Sequence, residues 1–335
     1  MKQLTATVPG KAVISGEYAV LVGAPAIAVA LDRRAVVTVE TVAADYHVVS
    51  TPGFATGSWR FSTNDGGDIT WHDELPEGGL TLVEAAFAAV YFDDREAKSF
   101  SIDTGAFADD STRHKLGLGS SAAAISALVA VLCELGGKEF SLGETALAAH
   151  ANFQSGLGSG VDIATSLAGG VIEYRMGDAA NLVRHSWPDD LFYAILWSGR
   201  PASTQARVTK FDRSNSNHPS VSALVAAASD VANTWAHQQS TNILASLGAY
   251  TESLYQFNLA HGLGIFDAGH DTLYAASVST DVLYKPCGAG GGDIGIALGL
   301  DASALADYVA EAEKLGFREL SVAMDSNGVV ISKAD

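Results

Sequence analysis

Four glycine-bearing segments hold the residues whose type and spacing could do chemistry. In the first, Lys115-Leu116-Gly117-Leu118-Gly119-Ser120-Ser121-Ala122-Ala123-Ala124 runs straight into an Ala- and Leu-rich stretch. Glycines let successive backbone N–H groups turn toward one anion, and a helix start adds unpaired donors and a partial positive charge. The hydroxyls of Ser120 and Ser121 can accept from the helix backbone or ligate Mg²⁺. Taken alone, the segment is as well read as a glycine turn with a serine cap. The second is Pro9-Gly10-Lys11, followed by Ser15-Gly16-Glu17-Tyr18-Ala19-Val20-Leu21. A lysine in a tight turn can reach a substrate oxygen or phosphate as a point charge, although a solvated lysine is the commoner fate. The third, Ser155-Gly156-Leu157-Gly158-Ser159-Gly160-Val161-Asp162, puts a carboxylate where a helix opens. A helix start favours the ionised form that a base or metal partner requires, but the same aspartate could be no more than an N-cap. The fourth, Lys285-Pro286-Cys287-Gly288-Ala289-Gly290-Gly291-Gly292-Asp293-Ile294-Gly295, has apolar flanks unlike those of a flexible linker. It suggests backbone packed against a ligand or another backbone. No GxxxxGK[ST] loop is present, so a phosphate would need a different cradle.

These segments need elements to position them. Leu4–Val8, Ala26–Leu31 and Ala35–Val42 are rich in Val, Ala, Ile and Thr and read as strands. Residues 53–75 read as irregular hairpins or loops. Helical spacing covers Leu80–Phe92, Ser121–Leu135 and Leu142–Asn152, and Val171–Arg175 reads as a strand. A polar stretch at Asp178–Asp190 marks a domain boundary, predicting domains at 1–185 and 186–335. Beyond it come a strand at Leu191–Trp197 and helices at Val221–His237 and Thr241–Gly262. Asp301 reads as the N-cap of a further helix stopped by Gly316. Asn327-Gly328 predicts a hairpin between Leu320–Met324 and Val329–Ile331. Strands and helices mix in both halves without strict βαβ alternation, which favours α+β architecture.

Composition narrows the partners. Twenty Lys and Arg against 38 Asp and Glu give a net charge of −18. Such a surface repels phosphate backbones, so neither nucleic acid nor an anionic membrane is expected, while a small anionic substrate in a locally basic cleft is allowed. Two isolated cysteines, Cys133 and Cys287, make neither a disulfide scaffold nor a zinc set, and a reduced cytoplasmic setting follows as the expectation. The N-terminus lacks an apolar signal region, and the longest apolar stretch, near Ala122–Leu132, is too short for a bilayer. The nine histidines lack HxxxH or HExxH spacing, and His114 and His150, near the motifs, read as solvated or structural.

The four segments in this order resemble the GHMP kinase superfamily of small-molecule kinases, from Pro9 to Gly295. The detail is most similar to the phosphomevalonate kinase branch, at Gly16–Leu21, Lys115–Ala123, Gly158–Ala164 and Gly288–Asp293. Mevalonate kinases usually carry a further glycine where Asp293 stands. The resemblance implies an α+β, two-domain fold with an N-terminal domain like ribosomal protein S5 domain 2 and a ferredoxin-like C-terminal domain. The active cleft would lie between them. It implies ATP and Mg²⁺, with 5-phosphomevalonate converted to 5-diphosphomevalonate. Mevalonate or another small alcohol is the alternative acceptor, and a silent nucleotide-binding sensor the alternative of another class. By the resemblance, Lys115, Gly117, Leu118, Gly119, Ser120, Ser121 and Ala122 bind the nucleotide, with Ser121 the Mg²⁺ ligand. Asp162 and Lys11 would be catalytic. Lys11, Glu17, Tyr18, Gly160, Ser203, Gly288, Ala289 and Gly290 would bind the acceptor. A monomer or homodimer is expected. The sequence departs from mevalonate kinases at Ala151, where they carry a Mg²⁺-binding Glu eleven residues before the catalytic Asp, and Pro286-Cys287 replaces a small polar pair.

Overall fold

The computed structural model describes residues 3–64, 67–90, 96–136, 141–177, 182–202, 207, 209–211, 217–237 and 239–334. Among the described residues the fold is α+β, built on two sheets. The first sheet has the path β13-β1-β2-β6-β3-β4-β5, with β7 on β2 and β8 on β7. Its strands are β1 (Gln3–Ser15), β2 (Ala26–Thr41), β3 (His47–Thr51), β4 (Ala55–Thr63), β5 (Ile69–Trp71), β6 (Lys98–Asp103), β7 (Val171–Tyr174), β8 (Val183–His185) and β13 (Val330–Ala334). The second sheet runs β10-β11-β9-β12, formed by β9 (Phe192–Trp197), β10 (Val282–Pro286), β11 (Ile294–Gly299) and β12 (Arg318–Glu319).

Four helices back the first sheet: α1 (Thr81–Ala89), α2 (Ser120–Gly136), α3 (Leu142–Phe153) and α4 (Val161–Ala168). Every residue of α2 from Ala122 to Leu132 is buried. A helix hydrophobic all round must lie inside the fold, and alanine keeps its neighbours close. Later helices are α5 (Pro219–Ala236), α6 (Ser240–His261), α7 (His270–Ser277) and α8 (Ala302–Lys314). α5 packs on a 3₁₀ turn at Ala19–Val22 and on β2, while α6 packs on α5 and on β10, so this pair spans the two sheets. No described helix is long and apolar enough to cross a membrane.

Three expectations change. Pro9-Gly10-Lys11 is no turn: it lies inside β1, with Lys11 opposite Ala30 of β2 and a register shift between Pro9 and Gly10. That irregularity accommodates a residue with no N–H in a paired strand. Residues 53–75 contain β4 and β5, and the pairing of β3, β4 and β5 makes them an antiparallel meander. Asn327-Gly328 makes no hairpin. Met324 instead bridges Leu31, and Val330–Ala334, expected in the second domain, pairs with β1. The otherwise open edge of β1 takes the chain end as its partner, which satisfies a row of exposed backbone groups. Asp301 does cap α8, its carboxylate accepting from the Ser303 and Ala304 N–H groups.

Candidate active site

The phosphate-loop candidate is prepared by a tight turn. The Asp109 carboxylate accepts from the backbone and hydroxyls of Ser111 and Thr112, and Arg318 of β12 closes on its other oxygen. These bonds hold the Asp109 carboxyl well below the usual carboxylate range, the Ser111 hydroxyl foremost. Ala108 and Lys115 then bridge, and the chain reaches Gly117 and Gly119 at φ 81° and 80° before α2 begins. Close contact also requires glycine at 117, while at 119 a side chain would press on the Lys11 stem. A Cβ on Gly117 would lie 2.2 Å from the Asp293 Cβ, and one on Gly119 3.0 Å from Cε of Lys11. The Lys11 N–H donates to the Leu118 carbonyl at 2.9 Å, docking β1 on the loop. Leu118 and Ala122 have buried side chains, so they can offer a ligand only main chain. Ser120 and Ser121 stand half-buried at the helix start.

Lys11 and Asp162 meet across the cleft, Nζ to Oδ2 at 3.5 Å, with side chains 10% and 28% exposed. Asp162 is not the N-cap. Gly160 takes that position at φ 84°, and the Ser159 hydroxyl accepts from the Val161 N–H. The Asp162 carboxylate, on the first turn of α4, therefore stays available where the helix dipole favours its charge. Lys11, Glu17, Tyr18, Gly117, Gly160, Asp162, Gly288 and Ala289 all line one cavity. Predicted residues from all four segments thus converge.

The fourth segment forms the lid of this cavity and is tied down from several sides. Tyr18 donates its hydroxyl to the Ala289 carbonyl at 2.9 Å. The Gly291 N–H donates to Ile265 O, and Arg207 donates to the Gly291 carbonyl. Asp293, at φ 57°, accepts at Oδ1 from the Ala202 N–H. Burial raises its carboxyl, against the opposing pull of that N–H and of Lys11, Arg207 and Lys115. Glu17, expected to bind the acceptor, lines the cavity with its carboxylate already engaged. Its carboxylate, 2% exposed, is taken by Lys285 at 2.5 Å and by the Tyr250 hydroxyl at 2.7 Å. It anchors the lid strand β10 to the first sheet. Ser203 lies outside the described residues.

His150, which the sequence reads as solvated or structural, also reaches this cavity. It is buried at the end of α3, and its Nε2 has no hydrogen-bond partner. Its place at the C-terminal end of the helix leading into the Gly156–Asp162 loop was the available signal. A second, mostly apolar cleft opens beside Ser120 and Ser121, lined by Phe54, Leu80, Val83 and Ile102, with Lys115 5.7 Å from the Phe54 ring centroid. Among the described residues no group of three or more His, Cys, Asp or Glu side chains could hold a metal.

Residues 83–170, spanning α1 to α4, match the model of the GHMP kinases N-terminal domain. The chain is 30% identical over 350 residues to the phosphomevalonate kinase of Streptomyces sp. (strain CL190), covering 89% of this chain and 90% of that one. It is 31% identical over 215 residues to the mevalonate kinase of Methanothermobacter thermautotrophicus, covering 62% of this chain and 61% of that one. The fold superposes on the Lin0012 protein of Listeria innocua with a TM-score of 0.84 at 22% identity, covering 99% of this chain and 100% of that one. It superposes on Streptococcus pneumoniae phosphomevalonate kinase in complex with phosphomevalonate and AMPPNP with a TM-score of 0.75 at 18% identity, covering 96% and 99%. On the full-length relative, the domain match and the convergence of the four segments on one cleft, the chain belongs to the GHMP kinase family.

Proposed function

We propose that the chain is an ATP-dependent kinase that transfers the γ-phosphoryl group to 5-phosphomevalonate, giving 5-diphosphomevalonate and ADP. The carrying observation is the single cavity on which the Lys11–Asp162 pair, Gly117 of the phosphate loop and the glycine lid converge. The phosphomevalonate kinase relative, matched over nine-tenths of its length, supports the choice of acceptor.

Each part has a physical task. The triphosphate lies along the Gly117–Ser121 main chain at the start of α2, where free N–H groups and the helix dipole favour anions. The apolar cleft beside Ser121 suits a flat heteroaromatic base, and Lys115 stands at its mouth. Lys11 neutralises charge building on the transferring group, the main requirement of phosphoryl transfer. The acceptor oxygen is a phosphate oxygen that is already anionic. Asp162 therefore has no proton to remove, and it aligns the Lys11 ammonium instead. With mevalonate the nucleophile would be a hydroxyl, and its proton would pass to Asp162. Mg²⁺ fits a site with few protein donors, because it keeps waters and binds mainly substrate phosphates. Ser121 is the residue that would hold it, and when bound it supplies charge neutralisation. Such an enzyme acts in the cytoplasm on small soluble anions.

Coupled ADP release, assayed with phosphomevalonate and with mevalonate, tests the reading. Turnover of phosphomevalonate with little on mevalonate is expected. Turnover of mevalonate alone would replace the acceptor, and ATP binding without any turnover would leave a sensor.

A further inference from the structure

The cavity holds a polar group that the reaction described above leaves idle. His150 is only 3% exposed, and its Nε2 has no hydrogen-bond partner. A buried, unpaired ring nitrogen is costly, and native structures rarely keep one without use. The ring stacks on Phe153 at 6.2 Å between centroids, which supplies no polar partner. The two charged groups close enough to influence it are Asp162 and Lys11, and these pair with each other. Burial, more than either charge, lowers the imidazole's affinity for a proton, so the ring is neutral near pH 7.

A neutral imidazole carries one N–H and one lone pair. Its ring torsion about Cβ–Cγ is soft, so a modest turn can present the N–H to the cavity. Among the described residues the cavity wall offers few other free side-chain donors, the Gln154 amide and the Ser159 hydroxyl, which accepts from the Val161 N–H and keeps its own proton. Lys11 serves Asp162, the Tyr18 hydroxyl serves Ala289, and Glu17 and Asp293 are acceptors already engaged. On the α3 side, His150 and Gln154 are the side chains placed to donate to an anionic acceptor, and His150 is the one whose ring nitrogen is buried without a partner.

We infer that His150 is an acceptor-binding residue, whose N–H hydrogen-bonds an anionic oxygen of the phosphorylated small molecule and holds it against Lys11. This rests on the kinase reading above and deepens it, since it names the group that grips the acceptor. It also accounts for the unpaired nitrogen: the missing partner is the substrate. His150 is thus a site where stability is given up for binding.

The test uses the full chain with His150→Leu and His150→Gln. Leucine fills similar space without a polar atom, and glutamine restores an N–H at a similar reach. For His150→Leu, acceptor KM should rise about 10- to 100-fold, the size expected for a lost hydrogen bond to a charged group. ATP KM should stay within about twofold, and the melting temperature should hold or rise because a buried unsatisfied group is removed. His150→Gln should recover most of the acceptor affinity. An unchanged acceptor KM in His150→Leu overturns the inference. So does a melting temperature that falls while both KM values rise together, which marks a framework histidine. Calorimetric binding of phosphomevalonate and of mevalonate to the wild-type chain separates the two levels. If mevalonate alone binds and turns over, the choice of acceptor fails and the histidine is tested with mevalonate. If neither binds, both fail.

Discussion

Two polar regions built from the same residue types adjoin the Gly288–Asp293 lid, and Glu17 of the first reaches the cavity wall that the second lines. The first, the lower, is Lys285 with Glu17, 0% and 2% exposed and 2.5 Å apart, and the Tyr250 hydroxyl and the Pro286 carbonyl complete the set. The second, the upper, is Lys11 with Asp162, 10% and 28% exposed and 3.5 Å apart, beside a histidine whose Nε2 is unpaired. The lower pair is dehydrated and committed to other protein groups. The upper pair is loosely made and open to a ligand. A lysine–carboxylate pair is therefore not diagnostic by itself. What distinguishes framework from chemistry is whether the bonding capacity of the pair is already used.

The largest effect should come from breaking the lower pair. Lys285→Met leaves the Glu17 carboxylate buried beside Tyr250 without its cation. Removing one partner of a buried pair costs about 3–5 kcal/mol, read as a drop in the urea midpoint. Glu17→Gln combined with Lys285→Met should recover most of that loss, since the buried charge goes while Tyr250 keeps an acceptor. A Lys285→Met chain as stable as wild type would mean that the lid is held by its other ties. The contrast between the two regions would then lose its lower half.

Asp162→Asn probes the upper region. It keeps the shape of the α4 start and removes the charge facing Lys11. Turnover should fall about 10²- to 10³-fold, some 3–4 kcal/mol in the barrier, as when a single electrostatic stabiliser is lost. ATP affinity and the melting temperature should stay near wild type, because Ser159, not Asp162, accepts from the helix N–H. Equal losses of turnover and ATP affinity would make this carboxylate part of the framework as well.

The sequence disclosed this contrast only in part. Gly117 and Gly119 were legible, because a positive φ at both, and close packing against Asp293 at the first, demand glycine. Lys11 and Asp162 were legible as candidates for chemistry but not as positions. Nothing local says that Pro9–Lys11 lies within a strand, or that Gly160 displaces Asp162 as the cap. The Glu17–Lys285 pair joins residues 268 apart in the chain, and no local pattern carries such a pairing. Glu17 therefore read as a substrate contact together with Lys11 and Tyr18, because nothing local shows that its carboxylate is already engaged. For His150 the sequence shows the residue but not the cavity beside it. A helix-borne histidine looks structural until the cavity beside it is seen, and that cavity is made by chain from both halves. Periodicity reports burial, but not which buried groups lack partners.

The smallest of these effects concerns pH and the lower region. His270 is fully buried under the lid, with Nε2 3.0 Å from the Gly292 carbonyl and Nδ1 2.7 Å from the Tyr284 hydroxyl. A carbonyl only accepts, so Nε2 carries the hydrogen, and Nδ1 accepts from Tyr284. A proton on Nδ1 would abolish that acceptance and bury a charge. Burial accordingly lowers the imidazole pKa from 6.5 to about 4, against the pull of the Gly292 carbonyl. Between these values the unfolded chain binds a proton that the folded chain refuses, so stability must rise with pH across this window and fall on acidification. The full difference is about 3 kcal/mol, complete near pH 4 and absent above pH 7. His270→Gln keeps a donor for Gly292 and cannot titrate. Urea midpoints for the two chains should therefore converge as pH falls from 7 toward 4, even as carboxylate protonation lowers both. Parallel loss in the two chains would show that the lid does not depend on a neutral imidazole, and that the region beneath it is less committed than its hydrogen bonds imply.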